Sequence, residues 1–361
     1  MSDALDWLQL ALLPIPRKQK QSLLAICLTP EATLQSSETQ RLLQLCCHKK
    51  QIELPRPAVL LAQAQRIKDQ VEQLGWQILT PDMPLFPQLL NQIPDPPTLL
   101  YTKGSLSALE GPQMAVVGSR KASPLGVKLA QRFAKHLSDW GLGVVSGLAL
   151  GIDAAAHQGA LQGGTATSAV LANGAGTIYP RSNQRLAEQI ISEGGVILTE
   201  NPPGHQLEAW HFPQRNRLIS GLALGTLVVE ADLKSGSLIT AKLALSQGRE
   251  VFAIPGALTN PQARGCHLLI KQGAVLVDSP EDILNSLHRE LRDLCPTSAQ
   301  IQNSSARVDN PLLQILGATD LNLNELAEAT GSELGQLQVE LARLELSGAV
   351  IKRAGRYFRS S

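Results

Sequence analysis

The sequence predicts an α/β protein with three structured parts: a doubly wound parallel sheet, an N-terminal helical domain and a C-terminal winged-helix domain. Over residues 113–292, short apolar runs alternate with helix-like stretches, the pattern of a parallel sheet covered by helices on both faces. Residues 1–75 show helical periodicity alone. Residues 311–361 show helices followed by a hairpin pattern, which is the winged-helix order.

Composition limits the classes of protein to consider. A length of 361 residues indicates two or three domains. The net charge of +1 gives no general attraction to nucleic acid, so a basic binding surface would have to be local. The five cysteines are odd in number and lack a C-x-x-C pair, which indicates reduced thiols in the cytoplasm and no zinc site. No basic leader and no apolar run of about 18 residues is present, so neither a signal peptide nor a membrane span is expected.

The N-terminal 75 residues read as a small helical domain, with apolar residues at helical spacing over 3–13, 17–28 and 57–74. Thr29 and Pro30 have the form of a helix cap followed by proline at the first helical position. Residues 13–17, LPIPR, stand where a helix-hairpin-helix module would have its glycine-rich turn. Because they lack glycine, a packing role is favoured, and DNA contact by this domain stays open.

Two stretches have the composition of connections between domains. Residues 76–112 contain many prolines, which exclude a long helix and predict an extended connector laid along the next domain. Residues 293–310 are polar and non-periodic, and they predict a linker.

Residues 114–151 form the centre of the predicted sheet. An apolar run ends in Gly118-Ser119-Arg120, a helix pattern covers 123–140, and a second apolar run ends at Ser146-Gly147. In such βαβ units the ligand lies at the carboxyl ends of the strands. A turn that leads into a helix N-terminus favours an anion, and the Arg120 guanidinium suits phosphate oxygens, although the same arginine is also compatible with a plain surface position. A nicotinamide cofactor is not predicted, because the glycine fingerprint and the acidic ribose ligand are missing.

Three more polar clusters follow predicted strands: YPRSN at 179–183, FPQRNR at 212–217 and KSGS at 234–237. Loops at one edge of a parallel sheet converge, so these clusters and the turn at 118–120 should line one crevice. They supply helix N-termini, cations and amides, which are groups that hold phosphate. The predicted phosphate-binding residues are Gly118, Ser119, Arg120, Lys121, Gly147, Arg181, Asn183, Phe212, Arg215, Asn216, Arg217, Ser235, Gly236 and Ser237.

Plainer explanations exist for several of these residues. Asn183 and Ser237 have the position of ordinary helix caps. Arg215 and Arg217 are two residues apart and cannot share a helix face, so one of them is expected to be structural, for example paired with Glu200 or Glu230.

Catalytic and metal chemistry have little support in the sequence. Asp153 and His157 lie four residues apart on one predicted helix, and a structural pair is favoured over a metal site because two ligands do not make one. No Ser-His-Asp signature or nucleophile elbow is present, so a binding protein rather than an enzyme is predicted.

The C-terminal domain has a charge pattern that bears on its role. Its third predicted helix carries Glu333, Glu340 and Glu345 with Arg343 as the cation, which suits a DNA major groove poorly. A protein-contact or autoregulatory role therefore stands beside duplex recognition as an interpretation of this domain.

The motifs together resemble the DNA-processing protein A family, also called DprA or Smf. The resemblance rests on DPPTLLYTKG, VVGSRKASPLG, SGLALGIDAAAH, YPRSN, FPQRNRLISG, VVEADLKSGSLITA, GREVFAIPG and GCHLLIKQGA, and it is dense over residues 95–278. It implies that the doubly wound sheet is an extended Rossmann-like domain without a cofactor. This domain would bind single-stranded DNA without sequence preference, form a homodimer, and load the RecA recombinase in natural transformation. The family motifs GSR, the basic position after Tyr-Pro, and FPxRN fall on Gly118, Ser119, Arg120, Arg181, Phe212, Arg215 and Asn216.

The sequence also departs from the family pattern. Leu125 stands where tyrosine is usual, and His267 stands where asparagine is usual. Aromatic residues make up 3% of the chain, so binding should depend mainly on phosphates, with Tyr179, Trp210 and Phe212 as the aromatic platforms.

Two other functional classes stay open at this stage. One is a nucleotide phosphoribohydrolase-type enzyme, although the loop at 173–177 lacks the expected proline and acid. The other is a winged-helix transcription factor acting through residues 311–361.

Overall fold

The computed structural model describes residues 3–51, 53, 55–294, 312, 315, 316, 321–346, 350–353 and 356–359. The predicted linker at 293–310 falls outside this range from residue 295 onward. Most of the helix predicted near residue 312 also falls outside it.

Five helices form the N-terminal part of the chain. They are α1 (Ala4–Leu12), α2 (Arg17–Cys27), α3 (Pro30–Gln35), α4 (Ser37–Lys50) and α5 (Pro57–Gln73). The predicted cap is confirmed: the Thr29 hydroxyl accepts a hydrogen bond from the Ala32 amide at 3.2 Å, and Pro30 occupies the first turn of α3. Helix α4 was not predicted from the sequence pattern.

The central sheet has nine strands in the order β1-β2-β6-β5-β4-β3-β7-β8-β9. Strands β3 to β9 pair in parallel, whereas β2 pairs antiparallel with both β1 and β6. The strands are β1 (Gln77–Leu79), β2 (Leu100–Gly104), β3 (Gln113–Val117), β4 (Gly143–Ser146), β5 (Thr167–Val170), β6 (Val196–Thr199), β7 (Gly225–Val228), β8 (Glu250–Ala253) and β9 (Val275–Leu276). The predicted α/β class with a large parallel sheet is confirmed.

The predicted connector at 76–112 thus contributes strands β1 and β2 to the sheet. Prolines crowd the chain up to Pro97, but residues 98–111 contain none. The stretch that forms β2 therefore keeps every backbone N–H that a ladder requires.

Helices cover both faces of the sheet. They are α6 (Gln88–Asn91), α7 (Pro124–Asp139), α8 (Ile152–Ala160), α9 (Gln184–Ser192), α10 (His211–Gly221), α11 (Ser237–Ser246), α12 (Arg264–Lys271) and α13 (Pro280–Leu294). Along β3, Ala115 and Val117 join one apolar cluster with α10, α11 and α12, while Met114 and Val116 join another with α7, α8 and α13. This alternation follows from the two-residue period of a strand.

The N-terminal helices pack directly on the sheet. Trp7 and Leu8 belong to the same apolar cluster as Ile190 of α9 and Ile197 of β6. Arg17 also pairs with Glu200 at 2.7 Å, immediately beyond β6. The helical part is therefore joined to the β2–β6 end of the sheet by both apolar packing and ion pairs.

The C-terminal residues that the structure describes form the predicted winged-helix arrangement. Two helices, α14 (Leu323–Thr330) and α15 (Leu334–Leu346), precede the hairpin of β11 (Val350–Arg353) and β12 (Arg356–Arg359), and β10 (Leu321–Asn322) pairs with β12. Asn322 and Glu325 form a reciprocal capping box at the start of α14. Gly331, with φ of 66°, supplies the left-handed turn between the two helices.

Candidate functional site

A cleft of about 450 Å³ lies at the carboxyl edge of the sheet, where β3 has β4 on one side and β7 on the other. The connections from β3 and β7 run to opposite faces of the sheet, so the loops part and leave a crevice. We call this space the switch-point cleft. Its lining includes Gly118, Ser119, Arg120, Lys121, Ala149, Asp153, Phe212, Arg215, Asn216, Asp232, Lys234, Ser235, Gly236, Ser237, Thr240 and Gln262.

The turn at 118–121 is held rigidly by the backbone around it. The Ser119 amide donates to the Glu230 carbonyl at 2.7 Å, and the Ser119 hydroxyl accepts from the Lys121 amide at 3.1 Å. Arg120 is exposed, with its guanidinium carbon 4.8 Å from the centroid of the Phe212 ring. This cation–π contact holds the Arg120 charge at the cleft instead of leaving it free in solvent.

The N-terminus of α7 already has an anion. The Glu230 carboxylate accepts from the Ser123 amide at 2.8 Å and from the Ser123 hydroxyl at 2.6 Å. The same hydroxyl caps the helix by accepting from the Gly126 amide at 3.0 Å. The sequence predicted a phosphate at this helix N-terminus, but the Glu230 carboxylate already occupies it. The turn at 118–121 instead contributes the side chains of Arg120 and Lys121 to the cleft.

Arg215 lies on the floor of the cleft and is 7% exposed. Its Nη1 donates to the carbonyl of Gly147 at 2.9 Å and also to the carbonyl of Val170, which joins the ends of β4 and β5. Burial lowers the pKa of Arg215 to about 10, with Asp153 opposing this shift and Arg120 adding to it. Arg215 therefore stays charged at neutral pH and fixes the loops that shape the cleft.

Asp153 is the buried acid beside this arginine. Its Oδ2 accepts from the amides of Gly147 at 3.2 Å and Ala149 at 3.4 Å. Burial raises the pKa of Asp153, and the charge of Arg215, the two backbone amides and Arg120 act against that shift. The carboxylate thus orders the loop after β4 and balances part of the positive charge.

His157 does not pair with Asp153. Its Nδ1 lies 2.8 Å from the Thr167 hydroxyl, which itself donates to the Val144 carbonyl. Burial, together with Arg215, lowers the pKa of His157 to about 3, so the ring is neutral. Within the part of the chain that the structure describes, no three potential ligand side chains are grouped to hold a metal ion.

Asn183 and Arg217 are both committed to the protein itself. The Asn183 amide donates to the carbonyls of Leu148 at 2.9 Å and Ala149 at 3.2 Å, so it braces the loop after β4 and does not cap α9. Arg217 points away from the cleft, as expected for one of two arginines on opposite faces of a helix. Arg217 pairs with Glu200 at 2.7 Å and Asp95 at 2.9 Å.

The segment before α11 forms the opposite rim of the cleft. Ser235 and Ser237 lie with their hydroxyls 2.7 Å apart, and Gly236 is the residue that precedes α11. Asn216 donates weakly to the Gly236 carbonyl at 3.4 Å and so ties α10 to this rim. Lys234 adds a cation there.

Two further hollows continue the cleft past α10. A side cavity of about 60 Å³ is lined by Arg120, Gly147, Tyr179, Phe212 and Arg215, among others. The Tyr179 ring, whose centroid lies 5.8 Å from that of Phe212, lines both this side cavity and an outer cleft of about 630 Å³. Arg181 lines this outer cleft and not the switch-point cleft. Arg120 and Arg215 therefore line both the switch-point cleft and the side cavity, and Arg181 lines the outer cleft, which shares Tyr179 with the side cavity.

The profile of the DNA recombination-mediator protein A family matches residues 77–288, and that of the DprA winged-helix domain matches residues 296–356. The chain belongs to the DNA recombination-mediator protein A family. The resemblance noted from the motifs, to DprA or Smf proteins, is confirmed.

Several relatives support this membership. Protein Smf of Escherichia coli is 41% identical over 294 residues, which cover 80% of this chain and 79% of that one. DNA processing protein DprA of Streptococcus pneumoniae is 47% identical over 199 residues, which cover 55% of this chain and 70% of that one.

Two solved structures of the family are similar to this fold. The X-ray structure of S. pneumoniae DprA matches with a TM-score of 0.64 and 36% identity, and it covers 79% of this chain and 98% of that one. The Helicobacter pylori DNA processing protein A matches with a TM-score of 0.54 and 29% identity over 60% of this chain and 96% of that one. The latter structure was reported for its single-stranded DNA binding mode.

The structure adds residues to the site that were not predicted from the sequence. Asp232 lies four residues after the end of β7, so its position in the loop at a strand end was a usable signal. Gln262 lies in a short 3-10 helix beyond β8, and its sequence context carries no comparable signal. Glu230 was considered only as a partner for an arginine, whereas the structure uses it to hold the start of α7.

Proposed function

We propose that this chain binds single-stranded DNA by its phosphates, along a path from the switch-point cleft past Tyr179 to the outer cleft. The observation that carries the proposal is that Arg120 and Arg215 line the same two hollows at the switch point of the sheet. A phosphate at this position would lie between an exposed guanidinium and a buried, fixed one.

The charge of the lining supports an anionic ligand. Arg120, Lys121, Arg215 and Lys234 contribute four positive charges, and two aspartates contribute two negative ones, which leaves a net +2 at the switch-point cleft. The whole chain carries only +1, so the positive potential is local. Such a concentrated charge favours a polyanion without requiring a basic protein.

The aromatic residues support recognition without a preferred sequence. Tyr179 and Trp210 are about half exposed, and Phe212 lies between Tyr179 and Arg120. Every base has a flat face that stacks on such a ring, so stacking adds affinity without selecting a base. We expect phosphate contacts to contribute the larger part, because few aromatic rings line the path.

Salt-dependent binding of a mixed-sequence oligonucleotide tests the proposal. With about three phosphates neutralised, the log–log slope of affinity against salt should be about −2 on a single strand. Arg120→Ala should weaken binding about equally for all sequences and reduce the slope by about 0.7. Arg132→Ala, which removes an exposed arginine from the solvent side of α7, is the matched control and should leave binding unchanged. A strong sequence dependence, or no loss with Arg120→Ala, would contradict the proposal.

The family relationship supports a finer proposal about partners. The chain loads the RecA recombinase onto the bound strand in natural transformation, and it does so in the cytoplasm, where that DNA is recombined. The test measures RecA ATP hydrolysis on DNA already covered by a single-strand-binding protein. The wild-type chain should shorten the lag, Arg120→Ala should not, and Arg132→Ala should behave as wild type. An unchanged lag with the wild-type chain would count against recombinase loading.

A homodimer through the Rossmann domain is also part of the proposal. Strand β9 ends the sheet, and Leu276 within this strand and Leu268 in α12 are 47% and 37% exposed. An open sheet edge with exposed leucines favours pairing with a second copy. Leu268→Glu should shift sedimentation towards the monomer, whereas Leu245→Glu, at an exposed position of α11, should not. A monomeric wild-type chain would contradict this.

We propose binding without catalysis at this site. Asp153, the buried carboxylate of the cleft, is engaged by backbone amides and lies beside Arg215, which suits a structural role. Incubation with nucleoside monophosphates tests the enzyme alternative, since release of free base would favour a phosphoribohydrolase.

Among the described helices, none combines the length and apolar character needed to cross a membrane.

A further inference from the structure

Helix α15, the third helix expected of the winged-helix domain, is covered by protein on two opposite faces. Leu337 and Leu341 are each 1% exposed and belong to the core of the winged-helix domain itself. The stripe at residues 335, 339 and 343 lies about 200° around the helix from Leu337. This second stripe contacts the Rossmann domain.

The closest of these contacts joins Gly335 to Trp140. Trp140 directly follows the last residue of α7 and is 3% exposed, and Gly335 is also buried. A β-carbon at position 335 would overlap the Trp140 indole ring. The indole therefore lies directly against the backbone of α15, an approach that only glycine permits.

Two more residues extend the contact along the same stripe. Val339 packs against the apolar cluster of the Rossmann domain that contains Leu137 and Ile283. The Arg343 guanidinium lies beside Gly141, 3.5 Å from where a β-carbon of that glycine would be. A cation at the carboxyl end of α7 is favoured by the helix dipole. Shape, apolar packing and charge thus agree over three successive turns of α15.

We propose that the stripe formed by Gly335, Val339 and Arg343 is a docking surface for the chain's own Rossmann domain. The winged-helix domain then serves as a protein-contact module, held against the end of α7, and does not read duplex DNA in this arrangement. A helix that enters a major groove must present its outer face to the bases, and here Gly335 and Val339 of that face pack against the Rossmann domain. Glu340 lies about 100° around α15 from Val339, Glu333 directly precedes the helix, and both would repel DNA phosphates.

Hydrogen exchange on the full-length chain tests this inference through Gly335→Ala. Alanine is a better helix former than glycine, so a purely local role of residue 335 predicts unchanged or slower exchange in α15. Docking predicts faster exchange in the other domain. Loss of the contact should speed hydrogen exchange of the peptide 137–142, at the end of α7, by about tenfold. Val339→Glu, which places a charge on the same stripe, should have the same effect. Gln336→Ala, at an exposed neighbouring position, is the matched control.

Two further measurements check that both docking variants remain folded. Single-strand binding reports on the Rossmann domain, hydrogen exchange within α14 reports on the winged-helix domain, and both should stay close to wild type. If neither Gly335→Ala nor Val339→Glu changes exchange at 137–142, the docking surface is refuted. The inference also fails if a duplex oligonucleotide protects α15 in the wild-type chain while exchange at 137–142 stays unchanged. That outcome would identify α15 as a reader of duplex DNA.

Discussion

Arg215 and Gly147 fit against each other at the carboxyl end of β4: a β-carbon at position 147 would lie 2.7 Å from the arginine Nη2. The arginine also donates from Nη1 to the Gly147 carbonyl at 2.9 Å. The guanidinium on the cleft floor therefore requires a residue without a side chain at the strand end. This relationship explains why Gly147 belongs to the site although it offers no functional group.

Gly147→Ala should destabilise the protein by about 1–3 kcal/mol, because the added methyl group displaces the Arg215 guanidinium in a packed interior. Single-strand binding should weaken as well. Calorimetric or urea unfolding measures the first effect, and Gly111→Ala is the control, since nothing lies within 4 Å of its β-carbon position. Equal stability of the two variants would show that Arg215 can move freely.

Arg217→Ala should lower stability by about 1.5–3 kcal/mol, because it removes the charged hydrogen bonds of Arg217 to Glu200 and Asp95 and leaves Arg17 as the cation that these two acids share. The Arg217 side chain is 6% exposed, so solvent cannot replace it. Arg120→Ala should do the reverse, with weak binding and nearly unchanged stability. Urea unfolding measures the stability of both variants, and fluorescence anisotropy with a labelled oligonucleotide measures their binding. If folded Arg217→Ala lost more binding than the control Arg132→Ala, the structural role assigned to Arg217 would be contradicted.

Arg215→Gln should be most destabilising at neutral pH, where it leaves the buried Asp153 carboxylate without its cation. Burial already places the pKa of Asp153 above its ordinary value of 3.8, and Arg215 acts against that shift. A raised pKa means that the folded state favours the protonated acid. The contribution of protonated Asp153 to stability is therefore present at low pH and is lost as pH rises through the pKa of the folded state. The stability gap to wild type should therefore shrink as pH falls from neutral towards 3.8. Urea unfolding midpoints across this pH range measure the stability difference from wild type. For the double variant Asp153→Asn/Arg215→Gln, the contribution of this carboxylate to the difference should not change with pH.

The loop before α10 should loosen in acid. The Glu208 amide donates to His211 Nδ1 at 2.9 Å, so His211 Nε2 carries the proton and donates to His205 Nε2 at 2.9 Å. Burial and His211 lower the pKa of His205 from 6.5, while Glu208 acts in the opposite direction. The folded state thus favours neutral His205, and the stability it provides above pH 6.5 is lost as pH falls through its lowered pKa. Protection of the 202–211 amides from hydrogen exchange, taken relative to the intrinsic rate at each pH, should fall in that window, and His205→Asn should remove this fall.

Strand-end position was the part of the site that local sequence could predict. The apolar runs and the polar clusters after them placed 118–121, 179–183, 212–217 and 234–237 at one edge of a parallel sheet, and the structure brings them there. The same local signals left 76–112 as a connector, because the many prolines masked the proline-free stretch that becomes β2.

The sequence by itself determined the parallel sheet, the order of its helices and the winged-helix pattern, because the periodicity of apolar residues records which face of each element is buried. Only the tertiary structure decided that Arg215 faces the cleft while Arg217 pairs with Asp95, which lies 122 residues away along the chain. Likewise it placed Glu230 at the start of α7 and Gly335 against Trp140. The physical reason is that the role of a charged side chain, or of a close backbone contact, depends on partners distant in sequence. Local periodicity does not encode those partners.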